Sequence, residues 1–264
     1  APLPSALEDE AGRHGYTVSL RSTRRDRDRE IASLERLHDR HVDGLLMMTN
    51  TPDDGTLATL IGKRRNVVIV DEDIPGVGVP RLFVENTEGA HAATRHLIEA
   101  GHRRIAYLGG PHGLLTVTER REGFLMAMNE AGIAVRPEYV AIGSFAPELA
   151  RAATRKFLEL PLPPTAIFAS SDYLAIGAVM GLKEAGVSVP DDVSLIGFDD
   201  MPLGALLTPP LTAIRQPVEQ LGRQGFQTLL ALLNGETPPL LTRLPVELIR
   251  RQSVAAPTRK DFVA

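Results

Sequence analysis

The chain has 264 residues, room for one large α/β domain or two lobes of ordinary size. Its 43% hydrophobic and 23% charged residues exclude a disordered chain or a coiled coil, and the lack of Cys excludes disulfides, thiolate chemistry and Cys-ligated metal. Lys+Arg 29 against Asp+Glu 33 leaves a formal net charge of −4, which argues against this polypeptide gripping nucleic acid, a task that needs a concentrated basic face.

In chain order, Leu7, Ala11 and His14 at helical spacing predict an opening helix, followed by a strand at Tyr16–Leu20. A helix over Asp28–Arg40 carries Ile31, Leu34 and Leu37 on one stripe. Strands are expected at Gly44–Met48, Asn66–Val70 and Arg81–Val84. The helix Glu88–Ala100, with Ala92, Ala93, His96 and Leu97 on its apolar side, stops at Gly101. A strand at Arg104–Leu108 leads to a helix at Glu119–Ala131, built on Phe124, Ala127 and Met128. Strands at Tyr139–Ile142 and Thr165–Ala169 precede a helix at Asp172–Ala185, which has a Ser-Asp start and a Gly stop. Strands at Val193–Gly197, Leu211–Ile214 and Pro245–Ile249 complete the series.

Strands alternating with helices of this length indicate βαβ units and mainly parallel sheets. Their number would overfill one open sheet, so two α/β lobes are expected, crossing near Gly109-Gly110-Pro111. An α/β lobe ordinarily starts with a central strand. The opening helix therefore implies an N-terminal piece outside these residues. No apolar run approaches the ~18 residues of a membrane span. Ala1-Pro2-Leu3-Pro4-Ser5 has neither the basic nor the apolar region of a signal peptide, so a soluble, cytoplasmic protein without membrane contact is expected.

Enzyme signatures are scarce. Gly109, Gly110 and Gly113 form neither GxGxxG nor a Walker loop, and there is no GxSxG elbow. His38 and His41 lack a third ligand at a supporting spacing and read as the polar end of a helix, so no metal and no cofactor are expected. The basic run Arg21–Arg29 is interleaved with Asp26 and Asp28 and reads as a solvated helix start.

Four segments are more specific. In Thr116–Phe124, Arg120 sits in the first turn of a helix next to the proposed crossing, where its planar fork can bridge vicinal hydroxyls, a carboxylate or a phosphate. Ser171 and Asp172 end a parallel strand, where α/β folds place ligands, although a plain helix cap accounts for them equally well. Asp199 and Asp200 end another strand; adjacent residues on extended backbone point apart, so one faces the site and the other caps the next turn. Leu207–Pro217 reads as a stiff loop, a short strand and a helix start.

These segments, together with Arg40–Leu45, Asn86–Ala90, His96–Ala106 and Val189–Asp200, stand in the order and spacing of one family. Over about Glu8–Ser253 the chain is similar to the ligand-sensing core of bacterial transcription regulators of the lactose/galactose-repressor (LacI/GalR) family. The resemblance implies the type I periplasmic-binding-protein fold: two similar α/β/α lobes with mainly parallel sheets and three crossovers. It divides the chain into an N-terminal lobe (1–110 plus 216–236, including the helix Val218–Asn234) and a C-terminal lobe (111–215 plus 237–264). The DNA-binding head and the family's first strand would lie outside these residues.

By position in the matching motifs, Arg120 resembles the family's ligand arginine and Asp199 its acceptor. Ser171 and Asp172 resemble an Asn-Asp pair at a strand end, Gln216 a hinge-side polar residue, and Phe145 the aromatic that stacks on a sugar or base ring; Thr116 is a further candidate. Acceptors, a forked donor and a ring face suit a polyhydroxylated ligand held in an interlobe cleft. The sequence departs from the family in Glu85, where Asp is usual, in Ser171, where Asn is common, and in having no Trp. The implied function is a sugar-like effector sensor and homodimerisation core that controls operator DNA binding, with no enzyme activity. The alternative is a transporter's periplasmic sugar-binding protein, usually Lys-rich and monomeric; this chain has four Lys.

Overall fold

The computed structural model describes residues 2–39 and 41–258, apart from the side chain of His38. The predicted end of the second helix at Arg40, the Arg40 of the family motif and the chain beyond Thr258 lie outside the described residues. The fold is α/β with mainly parallel sheets, divided into two compact units.

The first unit holds the chain up to Glu85, Gly113–Thr116 and Pro217–Pro245. Its elements are α1 (Pro2–Arg13), α2 (Arg27–His38), β1 (Leu45–Met47), α3 (Thr56–Ile61), β2 (Val67–Val70), β3 (Arg81–Val84), α9 (Val218–Leu233) and β9 (Leu241–Leu244). The strands pair in parallel in the order β1-β2-β3-β9. β2 is Val-Val-Ile-Val and buried along its whole length, as a parallel strand covered on both faces must be. Leu34 of α2 and Leu57 and Ile61 of α3 pack with Val67 and Ile69; Leu7 and Ala11 of α1 pack with Phe226 of α9. Asp26 caps α2 by accepting from the N–H groups of Asp28 and Arg29.

The second unit holds Asn86–His112, Val117–Gln216 and the chain from Val246. It contains α4 (Asn86–Glu99), β4 (Ile105–Gly109), most of α5 (Leu115–Glu130), β5 (Val140–Ile142), α6 (Pro147–Leu158), β6 (Ala166–Ala169), α7 (Asp172–Glu184), β7 (Ser194–Asp199), α8 (Pro202–Ala205), β8 (Thr212–Arg215) and β10 (Glu247–Ile249). The sheet order is β10-β8-β7-β6-β4-β5, parallel except where β10 runs antiparallel to β8. One core lies on each face. One is formed by Leu174, Ala178 and Leu182 of α7 with Ile167 and Leu195; the other by Tyr107, Phe124, Phe168 and Phe198.

Two expectations are corrected. Tyr16–Leu20 is not a strand. Tyr16 and Val18 rest on the α1–α9 cluster, but the segment pairs with no strand among the described residues. It lines a cavity of about 510 Å³ whose other side is Leu45–Met48. The lobe boundaries also move. β4, assigned by its position before residue 110 to the first lobe, hydrogen-bonds to β5 and β6, while β9, assigned to the second, pairs with β3. Strand pairing decides membership, and the Gly109-Gly110 step serves another purpose. A Cβ on Gly110 would come 2.4 Å from the Phe145 ring, so these glycines let that ring lie on the end of β4.

Candidate functional site

In the second unit, polar side chains gather at the carboxyl ends of β6, β7 and β8, where open parallel sheets bind ligands. The centre is Arg120, one turn into α5 and only 6% exposed. Its Nε donates to Asn86 Oδ1 at 2.9 Å, and one terminal nitrogen donates to the Ser170 carbonyl at 2.7 Å and to Asp199 Oδ1 at 3.2 Å. The guanidinium lies over the Phe198 ring, 3.8 Å from its centroid. Asn86 in turn donates to Glu119 Oε2 at 3.1 Å. Four groups from one helix and two strand ends thus fix the plane of the fork, leaving little freedom to lose on ligand binding.

Asp199 ends β7 with a left-handed φ of 108°, and Asp200 follows at 55°. Such backbone persists only when its surroundings over-determine it, and here they do. Asp199 accepts from Arg120 and, at 2.6 Å, from Gln216 Nε2. Burial raises its carboxyl above the usual range, while Arg120, Gln216 and the Asp172 N–H pull it back. Asp200 points the other way and pairs with Arg215 at 2.7 Å and Arg251 at 2.6 Å. The two carboxylates do part, but Asp200 does not cap the next turn: it is held by two arginines, and the Met201 N–H goes to Asp172 instead. Gln216 Oε1 is buried without a hydrogen-bond partner, beside a carboxylate that keeps 22% of its side-chain surface.

The remaining predicted residues do other work. Ser171 is the N-cap of α7, accepting from the Leu174 N–H at 3.3 Å. Asp172 is fully buried; its Oδ2 accepts from the Met201 N–H at 2.6 Å and so ties down the loop after β7. Burial, aided by Asp199 and Asp200, pushes its carboxyl up to about 7. Phe145 lies half-buried over Gly110. Thr116 belongs to the first unit, where its hydroxyl lies 2.6 Å from Glu72 Oε2. Asn86, the Ser170 carbonyl and Glu72 were not anticipated; the Asn86–Ala90 motif was the available signal for the first. Among the described residues, no group of three or more His, Asp or Glu could hold a metal ion, and no helix is long and apolar enough to cross a membrane.

Residues 94–254 match the periplasmic binding protein-like domain family. The HTH-type transcriptional repressor CytR of Escherichia coli K12 is 34% identical over 255 residues, 95% of this chain and 74% of that protein. The chain belongs to the LacI family of transcription regulators. The transcription regulator CcpA of Lactococcus lactis superposes with a TM-score of 0.89 at 27% identity, covering 96% of this chain and 93% of that one. The transcriptional regulator CelR–cellobiose complex is also similar, with a TM-score of 0.84 and 29% identity, covering 96% of this chain and 78% of that one. The chain is a ligand-sensing regulatory domain, and its curated relatives are transcriptional repressors rather than enzymes.

Proposed function

We propose that this LacI-family domain binds a small, polyhydroxylated, sugar-like effector at Arg120, Asp199 and Gln216 and thereby controls the operator binding of a homodimeric repressor. The observation that carries the reading is the Arg120–Asp199–Gln216 cluster itself. It offers a fixed fork of donors, a partly exposed carboxylate and an unpartnered amide oxygen. Vicinal hydroxyls both donate and accept, so they satisfy all three. Phe145 supplies a ring face for C–H groups of a sugar. The cellobiose bound by CelR supports a carbohydrate.

Operator contact is assigned to residues outside this chain, in keeping with its net charge of −4. The protein is assigned to the cytoplasm, where repressors act. Effector binding would shift the relative populations of two dimer arrangements. No observation favours the transporter-type binding protein. The test is a calorimetric and thermal-shift screen of sugars and nucleosides against the wild type and Arg120→Lys. Binding by the wild type that the variant loses supports the reading, and equal binding by both refutes it. Light scattering that shows only monomer would refute the dimer.

A further inference from the structure

At the ends of β6 and β7, Asp172, Asp199 and Asp200 meet Arg120, Arg215 and Arg251, and the pairing is uneven. Asp199 takes Arg120 at 3.2 Å, while Asp200 takes both Arg215 at 2.7 Å and Arg251 at 2.6 Å. Asp172, fully buried at the start of α7, has no ion-pair partner among the described residues. Its Oδ2 accepts from the Met201 N–H at 2.6 Å, and its Oδ1 has no hydrogen-bond partner. That oxygen lies against Gly197, where a Cβ would come within 2.5 Å of it.

Every element around Asp172 leaves it without a cation of its own. The end of β7 presents Asp200 and Asp199, whose carboxylate accepts from the N–H of Asp172 itself. Arg251, past β10, acts on it from a distance, because its guanidinium is bound to Asp200. α8 meets it with Gly204, Arg215 of β8 is likewise held by Asp200, and Arg120 of α5 is held by Asp199. On α6, which packs along α7, Arg151 is paired with Glu184 at 2.9 Å. Two like charges, one N–H donor and no paired cation favour the protonated acid. Burial and Asp199 push its pKa up to about 7, in keeping with that geometry. With Oδ2 occupied by an N–H, the proton belongs on Oδ1.

We propose that Asp172 is a positioning residue for the effector: as the neutral acid it anchors the loop at Met201 without repelling Asp199, and so couples effector binding to the uptake of a proton. This deepens the proposed function and rests on its reading that the effector meets Asp199. The Gln216 Oε1, buried and without a partner beside the same carboxylate, marks that place as open to a ligand. Ionised, Asp172 sets a second negative charge beside Asp199, where the backbone already holds left-handed φ values of 108° and 55°. Repulsion then pushes Asp199 away from Arg120 and Gln216 and spoils the acceptor. A neutral effector also shields Asp199 from water, which strengthens the repulsion between the two acids and tightens the hold of Asp172 on its proton. Both effects have one sign. Affinity is highest with Asp172 protonated and falls as pH rises through about 7.

The experiment has two arms, each run on the wild type and Asp172→Asn. In the first, the free chain is titrated from pH 5 to 9 by carboxyl carbon NMR, with the Arg120 Nε and Gln216 Nε2 resonances followed alongside. The Asp172 carboxyl should be protonated at pH 6 and ionise around pH 7, and both nitrogen resonances should move with it in the wild type only. In the second, ribose, glucose, cellobiose and adenosine are titrated calorimetrically at pH 6 and pH 8.5. A probe that binds should bind the wild type about tenfold more weakly at the higher pH, as a pKa raised by about one unit on binding requires. Asp172→Asn, which keeps an acceptor for Met201, should hold the affinity of the acid-side wild type at both. A carboxyl already ionised at pH 6 overturns the proposal, as do nitrogen resonances unmoved by its titration. So does an affinity that is independent of pH in the wild type, or equally pH-dependent in both proteins. If Asp172→Asn does not fold, the wild-type NMR titration decides alone. If no probe binds, that titration still decides for or against Asp172, while the failure falls on the sugar-like effector of the proposed function.

Discussion

Arg120 and Asp199, 79 residues apart in the chain, meet at 3.2 Å, and each is the other's main charged partner in the largely buried cluster of the second unit. The pair is built so that neither side chain can be removed without stranding the other. Arg120→Met leaves Asp199 with Gln216 and a backbone N–H. The expected cost is about 3 kcal/mol, the low end for breaking a buried pair, because Asp199 keeps 22% of its side-chain surface. The double variant Arg120→Met/Asp199→Asn should recover part of that loss. Urea unfolding of the three variants reads the coupling, and a purely additive result would remove the pair from the stability account.

Asp172 predicts an unusual pH dependence. Its folded pKa, about 7, lies above the 3.8 of an ordinary aspartate, so between those values the native state holds a proton the unfolded chain has lost. The stabilisation from this group is complete below the unfolded value and is lost as pH rises through the folded one. Asp172→Asn keeps an acceptor for the Met201 N–H and removes the titration. Wild-type stability should therefore fall relative to the variant between pH 5 and 8, by about 2 kcal/mol. Parallel curves for the two proteins would show that Asp172 is ionised throughout.

Gly123 marks the crossing of α5 over α4. A Cβ there would sit 2.1 Å from the Thr87 carbonyl oxygen and 2.8 Å from the His91 nitrogen, both backbone atoms that cannot swing aside. Gly123→Ala should force the helices apart, displace Arg120 one turn away, and destabilise the chain by about 2–3 kcal/mol. Retained melting temperature and ligand affinity would count against that crossing.

Phe145 rests on Gly110, and the sequence alone already suggested a ring for stacking. Phe145→Leu preserves much of the apolar packing and loses the flat face. Effector affinity should drop about tenfold with little change in melting temperature, since ring contacts of this kind are worth about 1 kcal/mol. A large loss of stability with unchanged affinity would make Phe145 a packing residue.

Fold class was legible because parallel strands such as Val67–Val70 and Ile105–Gly109 are continuous apolar runs between capped helices. Arg120, Asp199 and Gln216 were legible because each stands at a motif position, and the structure brings these three together. Membership of the two units was not, because β4 and β9 are assigned by hydrogen-bonded neighbours far away in sequence. β9 itself follows Pro238-Pro239 and is only partly buried, which weakens its local signal. Tyr16–Leu20 has strand composition, but strand structure also needs a partner, and its flank is a cavity. Asp172 looked like a ligand contact because its position fits one; its burial and the Met201 N–H show a side chain that shapes the loop carrying Asp199. Glu72 carries no local motif, and its contact comes from α5 returning to it 43 residues later.

The decisive measurement is calorimetric titration of the wild type and Arg120→Lys with the best ligand from a sugar and nucleoside screen, with melting curves on both proteins. Lys keeps the charge but cannot reach Asn86, the Ser170 carbonyl and Asp199 with one planar fork. The predicted result is a folded variant whose affinity falls about a hundredfold or more, as expected when charge-assisted hydrogen bonds are lost from a buried site. A folded Arg120→Lys that binds the same ligand as tightly as the wild type would contradict the assignment of the effector to the Arg120–Asp199 cluster.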